Sequence, residues 1–89
     1  MYTNIANYIY EAFETTRDLK LPDVTLGMAH LMSEKAIPEG VESKQLREFI
    51  SRNYRAIVLL FNRDDKAEFV DIVGGMVEDY LAPKEADAE

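Results

Sequence analysis

Apolar side chains recur along this chain at three- and four-residue steps. Ile5, Tyr8, Ile9, Ala12, Phe13 and Thr16 fall at i, i+3, i+4, i+7, i+8 and i+11, one stripe of a helix over about residues 3–20. Asn7, Glu11, Glu14 and Asp18 lie around the other side. Leu21-Pro22 stops this helix, because a residue before proline is pushed out of the α region. Asp23 is then a natural N-cap for a second helix, about Val24 to Lys35, with Val24, Gly27, Met28, Leu31 and Met32 as its stripe. Ile37-Pro38-Glu39-Gly40 carries turn chemistry and no periodicity.

Ser43 can cap a third helix. Leu46, Phe49, Ile50, Tyr54, Ile57, Val58 and Phe61 keep the helical period, but Asn53 falls on the stripe and predicts a break near Ser51–Asn53. Asn62 is the expected cap of the last helix, with Asp64, Asp65 and Glu68 near its positive end. Phe69, Val70, Val73, Met76, Val77, Tyr80 and Leu81 form its apolar side, and Pro83 ends it. Gly74-Gly75 inside that helix costs about 1 kcal/mol per glycine relative to alanine, so a bend or a closely packed neighbour is expected there. No strand pattern competes. The expected fold is all-α, a compact bundle of four to six short helices with a helix-turn-helix-like C-terminal half. One helical domain is expected over residues 1–82, followed by a short acidic disordered tail at 83–89.

Composition narrows the function. Hydrophobic residues make up 47 % and charged residues 30 % of 89 residues, which is globular rather than disordered composition. Without cysteine there is no disulfide, thiolate metal site or cysteine nucleophile. No apolar run approaches the ~20 residues that cross a bilayer, and the N-terminus lacks the basic region of a signal peptide, so no membrane association is expected.

Charge changes the picture more. The net charge is −7, unevenly spread: residues 1–43 hold three basic and seven acidic side chains, residues 44–66 six and three, residues 67–89 one and seven. An acidic chain repels phosphate backbones and is drawn to basic protein surfaces. The basic stretch, with Lys44, Arg47, Arg52, Arg55, Arg63 and Lys66 beside Phe49 and Tyr54, supplies the alternative reading of a small helix-turn-helix DNA-binding regulator. Its other reading is a set of solvated residues paired with Glu48, Asp64 and Asp65.

Catalytic chemistry is thin. His30 is the one histidine, and no serine or threonine sits in a nucleophile elbow. Gly74-Gly75 lacks the lysine of a phosphate loop, and Asp64-Asp65 with Glu68 does not match a calcium loop. No enzyme activity, cofactor or metal is expected. The first stripe reads either as core or, with Tyr2 and Tyr10 flanking it, as an aromatic-rich surface for a partner.

The stretch Asn53 to Asp71 resembles the AsiA-type anti-sigma factors of T-even-like bacteriophages. The match is carried by Tyr54, Arg55, Ile57, Val58, Asp65, Lys66, Phe69, Val70 and Asp71. Asn4-Ile5 at the start and Leu31-Met32-Ser33-Glu34-Lys35-Ala36-Ile37 with Glu39-Gly40 resemble the family as well; Pro22 and Pro38 depart from its pattern.

The resemblance implies an all-helical protein that binds the C-terminal, −35-recognition region (region 4) of the host primary sigma factor of RNA polymerase. It implies inhibition of host promoters, co-activation of phage middle promoters with a MotA-like phage activator, and a homodimer when sigma is absent. It implies no direct nucleic acid binding and a place in the cytoplasm of the infected bacterial host. On this reading Ile5, Ile9, Ala12, Phe13 and Thr16 form the apolar contact, with Tyr8 as an aromatic anchor. Leu31, Met32 and Ile37 extend it, and Glu11, Glu14 and Glu34 sit at its polar rim. The reading requires the first helix to keep its ridge free while the later helices make the body.

Overall fold

Each apolar stripe of the sequence becomes a helix in the structure, a computed structural model that describes residues 2–82. The elements are α1 (Tyr2–Asp18), α2 (Val24–Glu34), α3 (Ser43–Arg52), α4 (Tyr54–Asn62) and α5 (Lys66–Leu81). There is no strand among the described residues, and the fold is a small all-α bundle. No helix among them is long and apolar enough to cross a membrane. The acidic segment 83–89, including the helix stop expected at Pro83, lies outside the described residues.

α1 is the central element. It packs against α2 on one side and α5 on the other, while α4 packs on α5. Ile5, Ile9, Leu46, Ile57, Phe69, Val73 and Val77 are almost completely buried. Between α1, α4 and α5 the rings of Tyr10, Phe13, Phe61 and Phe69 meet in tilted or edge-on pairs, with Tyr10 4.9 Å from Phe69 and 5.1 Å from Phe61. Such pairs add about 0.5–1.5 kcal/mol each beyond the area they bury.

The helix ends follow local chemistry. After α1, Leu21 N–H bonds to Thr16 O at 2.9 Å and Lys20 N–H to Arg17 O at 3.2 Å, with Lys20 in the left-handed region at φ 55°. This is a Schellman stop in which lysine takes the place that glycine usually holds. Asp23 caps α2 as expected, accepting from Leu26 N–H at 3.2 Å. Ser43 does not cap α3. It is already helical, and the Gln45 side chain reaches back to Glu42 N–H at 2.9 Å.

Asn53 alone separates α3 from α4, and its side-chain amide donates to Phe49 O at 3.0 Å. Asn62 does not cap the last helix either; it ends α4. The cap of α5 is Asp65, which accepts from Glu68 N–H at 3.1 Å. Arg63, Asp64 and Asp65 form a three-residue turn between α4 and α5, with Asp64 at φ 60°.

The glycines sort differently from expectation. A Cβ on Gly75 would meet nothing within 4 Å, and one on Gly74 only ordinary contact with the Tyr2 carbonyl at 3.8 Å. Close approach occurs instead at Gly27, where a Cβ would lie 1.8 Å from Thr16 Oγ1 and 2.8 Å from Ala12 O. Gly27 is what lets α2 lie against α1.

Candidate partner-binding surface

The ridge expected to stay free on α1 is the centre of the protein's own core. Ile5 and Ala12 are fully buried, Ile9 is 1 % exposed, Tyr8 2 % and Phe13 7 %. The reason is the width of the apolar sector. Ala6 and Tyr10 are buried too, and at 100° per residue the sector from Tyr8 to Tyr10 spans roughly 200° of the helix. A helix apolar over more than half its circumference is covered on both flanks, here by α2 and α5. Ala6 and Tyr10 are the residues of the sequence that signal this width, since they extend the apolar sector beyond the stripe of Ile5, Tyr8, Ile9, Ala12 and Phe13.

The other expected contact residues fall into three groups. Leu31 is buried. Thr16, Met32, Ile37 and Glu11 are half-buried, and the Thr16 hydroxyl donates to Ala12 O at 2.8 Å. Glu34 is exposed.

Tyr8 is an anchor within the fold. Its hydroxyl donates to Lys35 O at 2.6 Å, and Lys35 Nζ bonds the two Glu11 carboxylate oxygens at 3.1 and 3.0 Å. These bonds pin the C-terminal end of α2 to α1. Burial, and then the Glu11 charge, push the Tyr8 phenol above its ordinary pKa.

What remains outside on this side of the molecule is the outer face of α2. Leu26 is 46 % exposed, and Ala29, His30 and Ser33 share its face at helical spacing, with Glu34 at the edge. Exposed large apolar groups elsewhere are Leu19, Tyr54, Leu59 and Ile72. His30 is an exposed residue of this face.

The acidic turn before α5 is used structurally. Asp65 is the cap, and Glu68 accepts from Arg63 Nε at 2.6 Å. Among the described residues no group of three or more His, Cys, Asp or Glu side chains could hold a metal ion. Charges also tie α3 to α5. The Tyr80 hydroxyl donates to Glu48, whose second oxygen accepts from Arg52 at 3.2 Å. The Tyr80 bond first, and then the Arg52 charge, hold the Glu48 carboxyl below its ordinary pKa.

The basic stretch of the sequence is split between several elements. Residues 44–66, the expected helix-turn-helix, become α3, α4 and the turn before α5: Lys44, Arg47 and Arg52 lie on α3, Arg55 on α4, Arg63 in the turn and Lys66 at the start of α5. No protein-family model, no curated protein and no solved structure matches this chain.

Proposed function

We propose that this chain is a regulator that works by contact, of the anti-sigma type, and that it binds the C-terminal, −35-recognition region of a bacterial primary sigma factor. The observation that carries this reading lies in the stretch Asn53–Asp71. There the chain resembles the AsiA-type factors in residues the fold needs: Ile57 and Phe69 in the core and Asp65 as the cap of α5. It also resembles them in residues the fold leaves in solvent, Tyr54, Arg55 and Asp71. Shared core and cap residues speak for a shared fold, the frame that holds α2.

The contact surface of the proposal follows from burial. Offering Ile5, Tyr8, Ile9 and Phe13 to a partner would expose four large side chains at about 1.5–3 kcal/mol each. That sum, about 6–12 kcal/mol, is comparable to the whole stability of an ordinary domain, about 5–15 kcal/mol. Docking on the α1 ridge would therefore amount to unfolding. The partner meets the outer face of α2 instead, with Leu26 as the apolar centre and Asp23 and Glu34 as acidic neighbours. A sigma domain that reads DNA is basic, and the N-terminal 43 residues, with seven acidic against three basic side chains, complement it. Homodimerisation and cooperation with a phage activator belong to the same proposal.

The test is titration of the full chain with an isolated sigma C-terminal region, read by calorimetry, and with a −35-dependent promoter in transcription. A one-to-one complex and loss of transcription are expected. Leu26→Lys, an exposed substitution, should leave the thermal melt nearly unchanged and weaken the complex roughly tenfold or more. Absence of a complex with the parent chain refutes the reading, and undiminished binding by Leu26→Lys refutes the assigned face.

A further inference from the structure

Where α2 meets the α3–α4 junction, Arg47 and Arg55 stand beside an apolar groove. Asn53, held by its bond to Phe49 O, fixes an elbow between the two helices. Tyr54, the first residue after the elbow, is 46 % exposed, with its ring tilted over Phe13 at 6.1 Å. Beside it is an open groove of about 270 Å³ walled by Val24, Met28, Ile50 and Tyr54, with Asp23 and Arg47 at its polar margin. Arg55 lines a second depression, which shares Ser51 and Tyr54 with the groove.

Arg47 and Arg55 are used differently from the other arginines of the fold. Arg17, Lys35, Arg52 and Arg63 each hold a carboxylate, and Lys66 rests 5.5 Å from the Tyr10 ring. Among the described residues neither Arg47 nor Arg55 has a carboxylate within ion-pair distance, in a chain that carries 17 acidic side chains. An exposed aromatic ring that shares one depression with Arg47 and a second with Arg55, beside an apolar groove, has the composition of a binding hot spot.

We infer that this elbow is a docking site for a short acidic segment of another protein, which inserts one apolar side chain into the groove and sets carboxylates against Arg47 and Arg55. Planar guanidinium groups donate to carboxylates in two-point geometry, and the groove has room for one large apolar side chain. A protein segment fits better than a nucleic acid. The Asp23 carboxylate sits at the margin, the floor is aliphatic, and a body of net charge −7 repels a long polyanion while tolerating a short segment on its one basic corner. The site differs in sign from the acidic face of the proposed sigma contact and adjoins it at Asp23, which stands at the edge of both. With both occupied, the chain would join a basic partner to an acidic one.

The experiment uses the full chain labelled with nitrogen-15, without sigma, so its outcome is separate from that of the sigma reading. The probe is a synthetic peptide of about twelve residues, rich in Asp and Glu, with one Phe and one Leu four positions apart. Expected are amide shifts confined to the neighbourhood of Met28, Ser51 and Tyr54, and affinity that falls as salt rises from about 0.05 M to about 0.3 M. The double variant Arg47→Glu, Arg55→Glu changes two exposed side chains and should keep the parent's circular dichroism. It should bind the probe at least roughly tenfold more weakly, and a Lys-for-acid version of the peptide should bind it better than it binds the parent. Three results overturn the inference: no shifts at millimolar peptide, equal binding by the double variant, or tighter binding of an oligothymidylate of similar length than of the peptide.

Discussion

Gly27→Ala isolates the contact on which the position of α2 depends. The added Cβ would sit 1.8 Å from Thr16 Oγ1 and 2.8 Å from the Ala12 carbonyl oxygen. Rotation of Thr16 can relieve the first clash, but it breaks the hydroxyl's bond to Ala12 O, a loss of about 1 kcal/mol. The second clash is with backbone, so the helices themselves must separate by several tenths of an ångström. Overpacking of this kind costs about 1–3 kcal/mol, against a gain of about 0.8–1 kcal/mol from alanine's helix propensity. The net loss is about 1–3 kcal/mol, or roughly 5–20 °C in melting temperature for a domain of this size.

Thermal unfolding followed by circular dichroism measures it, with Gly75→Ala as the internal contrast. A Cβ at Gly75 meets nothing within 4 Å, so that variant keeps the propensity gain and should melt about 4–8 °C above the parent. Adding Thr16→Ala to Gly27→Ala should recover only part of the loss, because the Ala12 carbonyl remains in place. A Gly27→Ala protein as stable as the parent would refute the close packing of α2 on α1.

Ile9→Asp, which puts a charge into a site 1 % exposed, should abolish the cooperative melt and most of the helical signal; a folded variant would place Ile9 outside the core. Lys20→Gly relieves a left-handed lysine at φ 55° and should stabilise the protein by about 1 kcal/mol in urea unfolding, a prediction that fails if stability falls. The α3–α5 tie should weaken at both ends of the pH scale. Glu48 has a lowered carboxyl pKa, so its contribution is present above the ordinary value of about 4.3 and is lost as pH falls through the lower folded value. Tyr80 has a raised phenol pKa, from its bond to Glu48 first and burial second, so its contribution is present below about 10 and is lost as pH rises through the folded value. Glu48→Gln should flatten the acid limb of melting temperature against pH, and an unchanged acid limb would show that the tie carries no stability.

The period of the apolar residues made all five helices legible, because helix formation here is set by local spacing and by caps such as Asp23. The break at Asn53 was legible for the same reason: an amide on an apolar stripe finds a backbone acceptor, here Phe49 O, and ends the helix. Cap positions at Ser43 and Asn62 were misplaced by one to three residues, since Gln45 and Asp65 compete for the same backbone groups. The candidate site was far less legible. Periodicity identifies which residues leave water, but whether the cover is the same chain or another depends on how the other helices fold back. The α1 ridge met both flanks of its own bundle. Gly27 and the groove beside Tyr54 depend on segments distant in sequence, Thr16 against Gly27 and α2 residues lining one groove with Ile50 and Tyr54, which no local pattern encodes.

Amide hydrogen exchange of the full chain, free and with an isolated sigma C-terminal region, tests the central claim most directly, namely that α1 stays in the core while α2 meets the partner. The account predicts that amides of Ile5 to Phe13 exchange only through global unfolding in both states, and that added protection on binding is concentrated in α2. Faster exchange of α1 in the complex, with new protection along its ridge, would contradict it.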